Sequence, residues 1–275
     1  MTVGELLASY RLPPREARAL LAHALGVRRE WLVAHPEAEV SEPQRATFAA
    51  LIARRAGGAP LAHLLGTREF YGRDFAVSPA VLIPRPETEL LVDAALDALR
   101  GVQAPRILDL GTGSGCLAVT LALERPDAAV SAVDRCAEAL AVARANAERL
   151  GALIAFIESD WYSKVAGRFD AIVANPPYIA AGDPHLPALR DEPRHALTDE
   201  ADGLSHLRAI ASGAPAHLEP GGALLVEHGY DQGAAVRTLF GAAGLADVRT
   251  LKDAAGLDRV CAGLLPGLPA RRTGA

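Results

Sequence analysis

Asn175-Pro176-Pro177-Tyr178 closes an apolar run, Phe169-Asp170-Ala171-Ile172-Val173-Ala174, with four residues that cannot extend a sheet. Two consecutive prolines donate no backbone N–H and hold the chain extended or turning. The carbonyls of Asn175 and Pro176 and the Asn175 side-chain oxygen are left as acceptors without ladder partners. They stand at the carboxyl end of a strand, where open α/β sheets hold their ligands. Such a group can grip an NH2, and Tyr178 adds an aromatic face for a planar partner. The same four residues also read as a plain proline turn leaving a strand.

A second constellation lies upstream. Gly111-Thr112-Gly113-Ser114-Gly115 follows the apolar run Ile107 to Leu110 and precedes a helical pattern from Leu117 to Leu123. A glycine-rich turn between a strand and its helix lets a cofactor approach the backbone closely, and an acid about 20 residues on can bind ribose hydroxyls. Asp134 occupies that position. The spacing is D-x-G-x-G-x-G, with Cys116 where a dinucleotide-binding turn would carry its last glycine.

The elements that must position these residues follow from periodicity. Residues 1–66 read as a helical bundle: Thr2 with Glu5 and Ser41 with Gln44 are capping boxes, and Leu20, Leu21, Ala24 and Leu25 form a stripe that Gly26 ends. Trp31, His23 and Phe48 are expected to pack in its core. Residues 67–84 read as a linking β-hairpin, with Phe70, Tyr71, Phe75, Val77 and Val81 alternating around Gly72-Arg73-Asp74. Pro86 and Glu87 suit a helix start and also stand where they can form one wall of a pocket. From residue 85 to 275 strands and helices alternate, the mark of an α/β domain with a parallel sheet. The strands are Ile107–Leu110, Ala129–Val133, Ile154–Ile157, the run before Asn175, and Ala223–Glu227 after a Pro220-Gly221-Gly222 turn. A loop from Ala180 to about Glu200, a helix from Leu204 to Leu218 and two closing β segments (Ala246–Leu251, Asp258–Leu264) complete it. Only the last few residues are expected to be disordered.

Composition narrows the function classes. Half of the 275 residues are hydrophobic, enough for a sizeable core, and the net charge is −5. Residues 1–68 carry nine Arg and six Asp or Glu, net +3, leaving −8 for the rest. That balance argues against a protein that coats nucleic acid; the small N-terminal surplus reads as solvated helix faces or as a docking face for an acidic partner. Three cysteines without a C-x-x-C, and no apolar run of membrane-spanning length, point to a soluble cytoplasmic protein. The histidines show no metal-ligand spacing, so no metal site is expected.

Asp109-Leu110-Gly111-Thr112-Gly113-Ser114-Gly115 resembles the first motif of S-adenosylmethionine-dependent methyltransferases, and Asn175-Pro176-Pro177-Tyr178 resembles the fourth motif of those that methylate an NH2 nitrogen. The resemblance implies a Rossmann-like class I methyltransferase domain: a mostly parallel seven-stranded sheet with a C-terminal antiparallel hairpin. It further implies S-adenosyl-L-methionine as cofactor and S-adenosyl-L-homocysteine as product. Gly111, Thr112, Gly113, Ser114 and Gly115 would flank the methionine part, Asp134 would take the ribose hydroxyls, and Asp160 with Trp161 would border the adenine; Trp161 also reads as core. Asn175 would border the cofactor as well and, with Pro176, supply acceptors to the substrate nitrogen, with Tyr178 counted beside them as catalytic and Pro177 and Tyr178 completing the substrate face.

Three substrate classes share this constellation: exocyclic amines of nucleic acid, small molecules, and the glutamine side-chain amide of proteins. Further stretches resemble the release factor glutamine methyltransferases: Pro60-Leu61 through Gly72, Ile83 to Glu89, Ser159-Asp160-Trp161, Glu192-Pro193 with Ala196-Leu197, Asp202-Gly203-Leu204, and Glu227 to Gly233. This likeness implies methylation of the Gln in the Gly-Gly-Gln loop of class 1 peptide chain release factors by a monomer, without direct nucleic-acid or membrane contact. Residues 1–66 would help dock the release factor. Asp253 to Arg259 departs from the family's aromatic-Gly-x-x-Arg wording. Glu227-His228 reads either as an acid–base pair or as a structural pair ordering Asn175, and Cys116 as core at its helix start.

Overall fold

The computed structural model describes residues 1–267 and divides into two compact units, Met1–Arg68 and Glu69–Ala275. The expectation of disorder at the chain's end falls outside the described residues. The first unit holds α1 (Val3–Ala8), α2 (Pro14–Leu25), α3 (Arg29–Ala34), α4 (Glu42–Ala56) and α5 (Leu61–Leu65). Both capping boxes form: Thr2 N–H donates to Glu5 at 2.8 Å and Ser41 Oγ donates to Gln44 Oε1 at 2.7 Å. Gly26, at φ +68°, ends α2. Leu20, Leu21, Phe48, Leu51 and Ile52 make the core, with Tyr10 edge-on to Phe48 at 5.1 Å and Trp31 packed at its margin. His23 is exposed, contrary to the core expectation. It stands in the last turn of α2, past the buried residues that run to Ala22 and before exposed Gly26, so its exposure comes from the helix end and not from its face.

Two strands, β1 (Thr67–Phe70) and β2 (Arg73–Ala76), pair across Tyr71 and Gly72, whose φ of +52° and +72° is the signature of a two-residue primed turn. The hairpin is shorter than the alternation of residues 67–84 suggests. Val77, Val81 and Ile83 are buried, but in irregular chain rather than in a strand.

The second unit carries one seven-stranded sheet. Its elements are α6 (Glu89–Ala98), β3 (Arg106–Leu110), α7 (Cys116–Glu124), β4 (Ala129–Asp134), α8 (Ala137–Leu150), β5 (Ile154–Glu158), β6 (Phe169–Ala174), α9 (Ser205–His217), β7 (Leu218–Glu227), α10 (Gly233–Ala242), β8 (Ala246–Lys252) and β9 (Asp258–Leu264). The strand order is β5-β4-β3-β6-β7-β9-β8. Strands β3 to β7 are parallel, and β9 enters antiparallel between β7 and β8. The seven-stranded architecture with its antiparallel hairpin agrees with the sequence reading. Strand β7 begins earlier than expected, because Pro220-Gly221-Gly222 is accommodated as an irregularity between the Phe169 and Ala171 pairings instead of a turn before the strand.

Strands β3, β6 and β7 are buried on both faces, as parallel strands between helical layers must be. One core face gathers Leu91, Ile107, Leu121, Val173 and Leu225; the other gathers Leu108, Ile172, Ile210, Leu224 and Phe240. The chain runs from β3 outward to β4 and β5, then returns to β6 on the other side of β3, which puts the topological switch between β3 and β6. Leu110 is in register with Ala174, and Ala174 with Val226. Gly111, Asn175 and Glu227 are therefore the next residues along one sheet edge.

Candidate active site

At that edge an open cleft with an empty volume of about 900 Å³ is lined by Gly111, Thr112, Gly113, Ser114, Asp134, Asp160, Trp161, Asn175 and Pro177. Residues from four strand ends, far apart in sequence, thus share one cavity. A second cavity of about 540 Å³ meets Asn175 from the other side, lined by Pro176, Tyr178, Ile179, Leu189 and Leu197. Asn175, Leu82, Arg85 and Ala196 line both. Gly115 is absent from the lining; an added Cβ there would stand 3.0 Å from the Ala143 Cβ, so this glycine lets α7 approach α8.

The glycine turn is pinned at both ends. The N–H groups of Gly111 and Thr112 both donate to the Val133 carbonyl at 2.8 Å, and the Gly113 N–H donates to Asp134 Oδ2 at 2.9 Å. Asp134 Oδ1 accepts from the Cys136 N–H at 2.9 Å. Each carboxylate oxygen keeps capacity for a further donor, as a ribose diol supplies. Behind the turn, fully buried Asp109 accepts from the Thr112 hydroxyl at 2.6 Å, while its Oδ1 lacks a partner. Burial pushes this carboxyl up to about 7, against the hydrogen bonds from Thr112 and the Ala118 backbone, with nearby Asp134 adding to the rise. Asn146, also fully buried, donates to the carbonyls of Ser114 and Ala76, both at 2.9 Å, and accepts from the Ala76 N–H at 2.8 Å; it ties β2 to the glycine turn.

The far end of the cleft is aromatic. Trp161, at φ +43°, lies with its ring 3.4 Å from where a Gly111 Cβ would be, and 5.3 Å from the His206 ring. It both lines the cleft and packs on the core, so the two readings of this residue coexist. His206 is held below the usual histidine range by burial and by Arg135, which keeps its imidazole neutral near pH 7. Cys116 lines the cleft and also packs against the core at its helix start, and burial raises its thiol to about 12, which suppresses thiolate chemistry.

Around Asn175 the polar groups form a chain. Asn175 Nδ2 donates to Thr88 Oγ1 at 3.1 Å, Thr88 donates to Glu227 Oε2 at 2.6 Å, and the Tyr178 hydroxyl donates to Glu227 Oε1 at 3.0 Å. Thr88 and Glu227 are each only 1 % exposed. Burial raises the Glu227 carboxyl, which the two hydroxyls and Arg259 oppose and Glu87 reinforces. Tyr178 therefore turns its hydroxyl inward and its ring toward the second cavity, not the first. His228 is fully buried, with Nδ1 against the Gly229 carbonyl at 2.8 Å, and does not line either cavity. Glu192 accepts from the Ile83 N–H at 2.9 Å and pairs with Arg85, which lines both cavities.

Thr88, Arg85, His195 and His206 were not identified as site residues from the sequence. Thr88 and Arg85 sit in the Pro84–Glu89 stretch that could be read as a pocket wall, whereas the two histidines carry no local signal.

A glycine turn and an Asn-Pro-Pro-Tyr exit flanking the switch point of this sheet define a class I methyltransferase. The fold alone is shared with a methyltransferase from Pyrococcus furiosus, at 19 % identity and a TM-score of 0.53, over 78 % of this chain and 98 % of that one. Residues 86–192 match the family described as Methyltransferase small domain, and residues 4–66 match the PrmC N-terminal domain. The chain is 54 % identical to the release factor glutamine methyltransferase of Burkholderia pseudomallei over 97 % of each chain. It is 53 % identical to that of Bordetella pertussis over 95 % of this chain and 98 % of the relative. It belongs to the release factor glutamine methyltransferase family.

Proposed function

We propose that this enzyme transfers a methyl group from S-adenosyl-L-methionine to the side-chain amide nitrogen of the Gln in the Gly-Gly-Gln motif of class 1 peptide chain release factors. The observation that carries the reading is the position of Asn175 between the cleft lined by the glycine turn and a second cavity, with its amide nitrogen engaged by Thr88. The cleft suits such a cofactor. Asp134 retains acceptor capacity for a diol, Trp161 offers a ring, and an added Cβ at Gly113 would meet no protein atom within 4 Å, so the space beside this backbone is open. When bound, the sulfonium supplies an activated methyl group.

The protein's own residues then have a defined task. An amide nitrogen is a poor nucleophile because its lone pair is delocalised into the carbonyl. Acceptors on its two hydrogens, the Asn175 side-chain oxygen and the Pro176 carbonyl, localise that pair and stabilise positive charge as it develops on nitrogen. Asn175, Pro176, Pro177 and Tyr178 hold the substrate amide. Gly111 to Ser114, Asp134, Asp160 and Trp161 hold the cofactor, with Gly115 setting the turn's approach to α8. The reaction needs no general base before transfer, because the proton can leave afterwards, and His228 is walled off from both cavities.

Mass spectrometry of a release factor incubated with enzyme and cofactor tests the reading: methylation of its Gly-Gly-Gln glutamine is expected. Asn175→Ala is expected to abolish turnover while S-adenosylhomocysteine affinity by calorimetry stays within about threefold of wild type. Label appearing instead on a ribosomal-protein mixture or on total RNA, with the release factor unmodified, refutes it. No helix among the described residues is long and apolar enough to cross a membrane.

A further inference from the structure

Glu227 is a residue of the sequence reading that the proposed reaction leaves without a task, yet it touches the hydrogen-bond chain at Asn175. It is a carboxylate at the end of β7, one strand over from Asn175, and 1 % exposed. A buried carboxyl group in an enzyme that needs no base requires a physical account.

With Glu227 ionised, the form that Arg259 and the two hydroxyls favour against burial, the hydrogen bonds around it have one self-consistent polarity. An ionised carboxylate accepts and never donates. Both hydroxyls that reach Glu227, those of Thr88 at 2.6 Å and Tyr178 at 3.0 Å, must therefore spend their single protons on it. Thr88 then has only lone pairs left for Asn175, 3.1 Å away, so the end of the Asn175 amide facing Thr88 has to be its NH2. The oxygen is consigned to the opposite end. An asparagine without this constraint is nearly symmetric in shape and costs little to flip, and a flipped Asn175 would meet a substrate NH2 with a second donor.

We propose that Glu227, acting through the Thr88 hydroxyl, is the positioning residue that fixes which end of the Asn175 amide faces the substrate. The inference rests on the reading of Asn175 as an acceptor for the substrate amide. Its second part concerns Tyr178: the same carboxylate draws in the Tyr178 hydroxyl, so one buried charge orients two residues of the Asn-Pro-Pro-Tyr exit. The groups facing Glu227 are Thr88 at the entry to α6, Tyr178 after β6, Arg259 on β9 and Glu87 beside Thr88; Arg259 favours the charged form that this polarity requires, whereas Glu87 and burial oppose it.

Substitution separates orientation from packing. Thr88→Val keeps the shape and removes the hydroxyl, whereas Thr88→Ser keeps the hydroxyl and removes a methyl. Glu227→Gln replaces one acceptor by an NH2, so one of the two hydroxyls must accept instead. When that hydroxyl is Thr88, its proton turns toward Asn175 and the amide flips.

The experiment measures kcat and KM on a release factor for the full-length wild type and the three variants, S-adenosylhomocysteine affinity by calorimetry, and solvent exchange of the Asn175 side-chain NH2 by ¹⁵N NMR. Thr88→Val and Glu227→Gln are expected to lower kcat by about 10- to 100-fold, the loss of a hydrogen bond to a charged group. Cofactor-product affinity is expected to hold, Thr88→Ser to recover most of the rate, and the Asn175 NH2 to exchange faster in Thr88→Val. Equal losses in Thr88→Val and Thr88→Ser would mean a packing role and overturn the proposal, as would an Asn175 NH2 signal unchanged in Thr88→Val. A wild type that binds the cofactor product but leaves the release factor unmethylated sinks the proposed substrate instead. In that event the NMR comparison alone still decides the orientation.

Discussion

Gly115→Ala is the sharpest test of how the glycine turn is built. Gly115 has φ +81°, and an added Cβ would stand 3.0 Å from the Cβ and 3.2 Å from the Cα of Ala143. A left-handed alanine costs about 1–2 kcal/mol. Forcing α7 away from α8 by a few tenths of an ångström adds about 1–3 kcal/mol, as overpacking does elsewhere. The smaller unfolded-state entropy of alanine returns about 0.4–1 kcal/mol. The net is a destabilisation of about 3 kcal/mol, or about 6–12 °C in melting temperature for a unit of this size. Gly113→Ala is the internal control: its φ is +54° but nothing lies within 4 Å, so only the backbone cost applies. The chain's two tryptophans, Trp31 and Trp161, fall one in each unit, so in a Trp31→Phe background fluorescence reports the second unit alone. Urea titrations of both variants in that background give the comparison. If Gly115→Ala proves no less stable than Gly113→Ala, the contact with Ala143 does not set the turn, and the reasoning from close approach is wrong.

Three further outcomes are expected. Asp109 is held up to about 7 in the folded protein against an ordinary 3.8, so the native state binds more protons than the unfolded one between these values. Its contribution is full below about pH 4 and is lost as pH rises through 7, amounting to about 2 kcal/mol between pH 5 and pH 7. Asp109→Asn should flatten that part of the urea-derived stability profile, and an unchanged slope would contradict the assignment. Because burial raises the Glu227 carboxyl, turnover should fall on acidification at a pH above the ordinary glutamate range of about 4.3, and Glu227→Gln should abolish that limb of the rate profile. Asn146→Ala deletes the hydrogen bonds to Ala76 and Ser114 and leaves buried backbone groups unpaired, which should destabilise the second unit by about 2–4 kcal/mol in the same titration.

What could be read from the sequence is what lies close together along it. The turn from Gly111 to Gly115 and the exit from Asn175 to Tyr178 are contiguous motifs at strand ends, and each strand is short, apolar and bounded by breakers, so α/β alternation was legible. The bond joining Thr88 to Glu227 spans 139 residues, and neither residue type announces such a partner. Apolar alternation over Val77, Val81 and Ile83 suggested strand, yet those residues are buried by irregular chain; alternation registers burial, not pairing. His23 shows the converse, since a histidine beside an apolar stripe takes its exposure from standing in the last turn of α2, past the enclosed residues that end at Ala22.

The loops that carry Asn175 and the glycine turn leave neighbouring strands at paired residues, Ala174 and Leu110. Adjacent strands in a sheet sit about 4.8 Å apart whatever their sequence. On the proposed function, the interval between the cofactor's turn and the substrate's exit is thereby set by the backbone lattice itself, a ruler that no side-chain substitution can stretch. Helices and outer loops can drift in sequence without altering that interval, while a single residue inserted between either strand and its motif would put the reacting groups out of step.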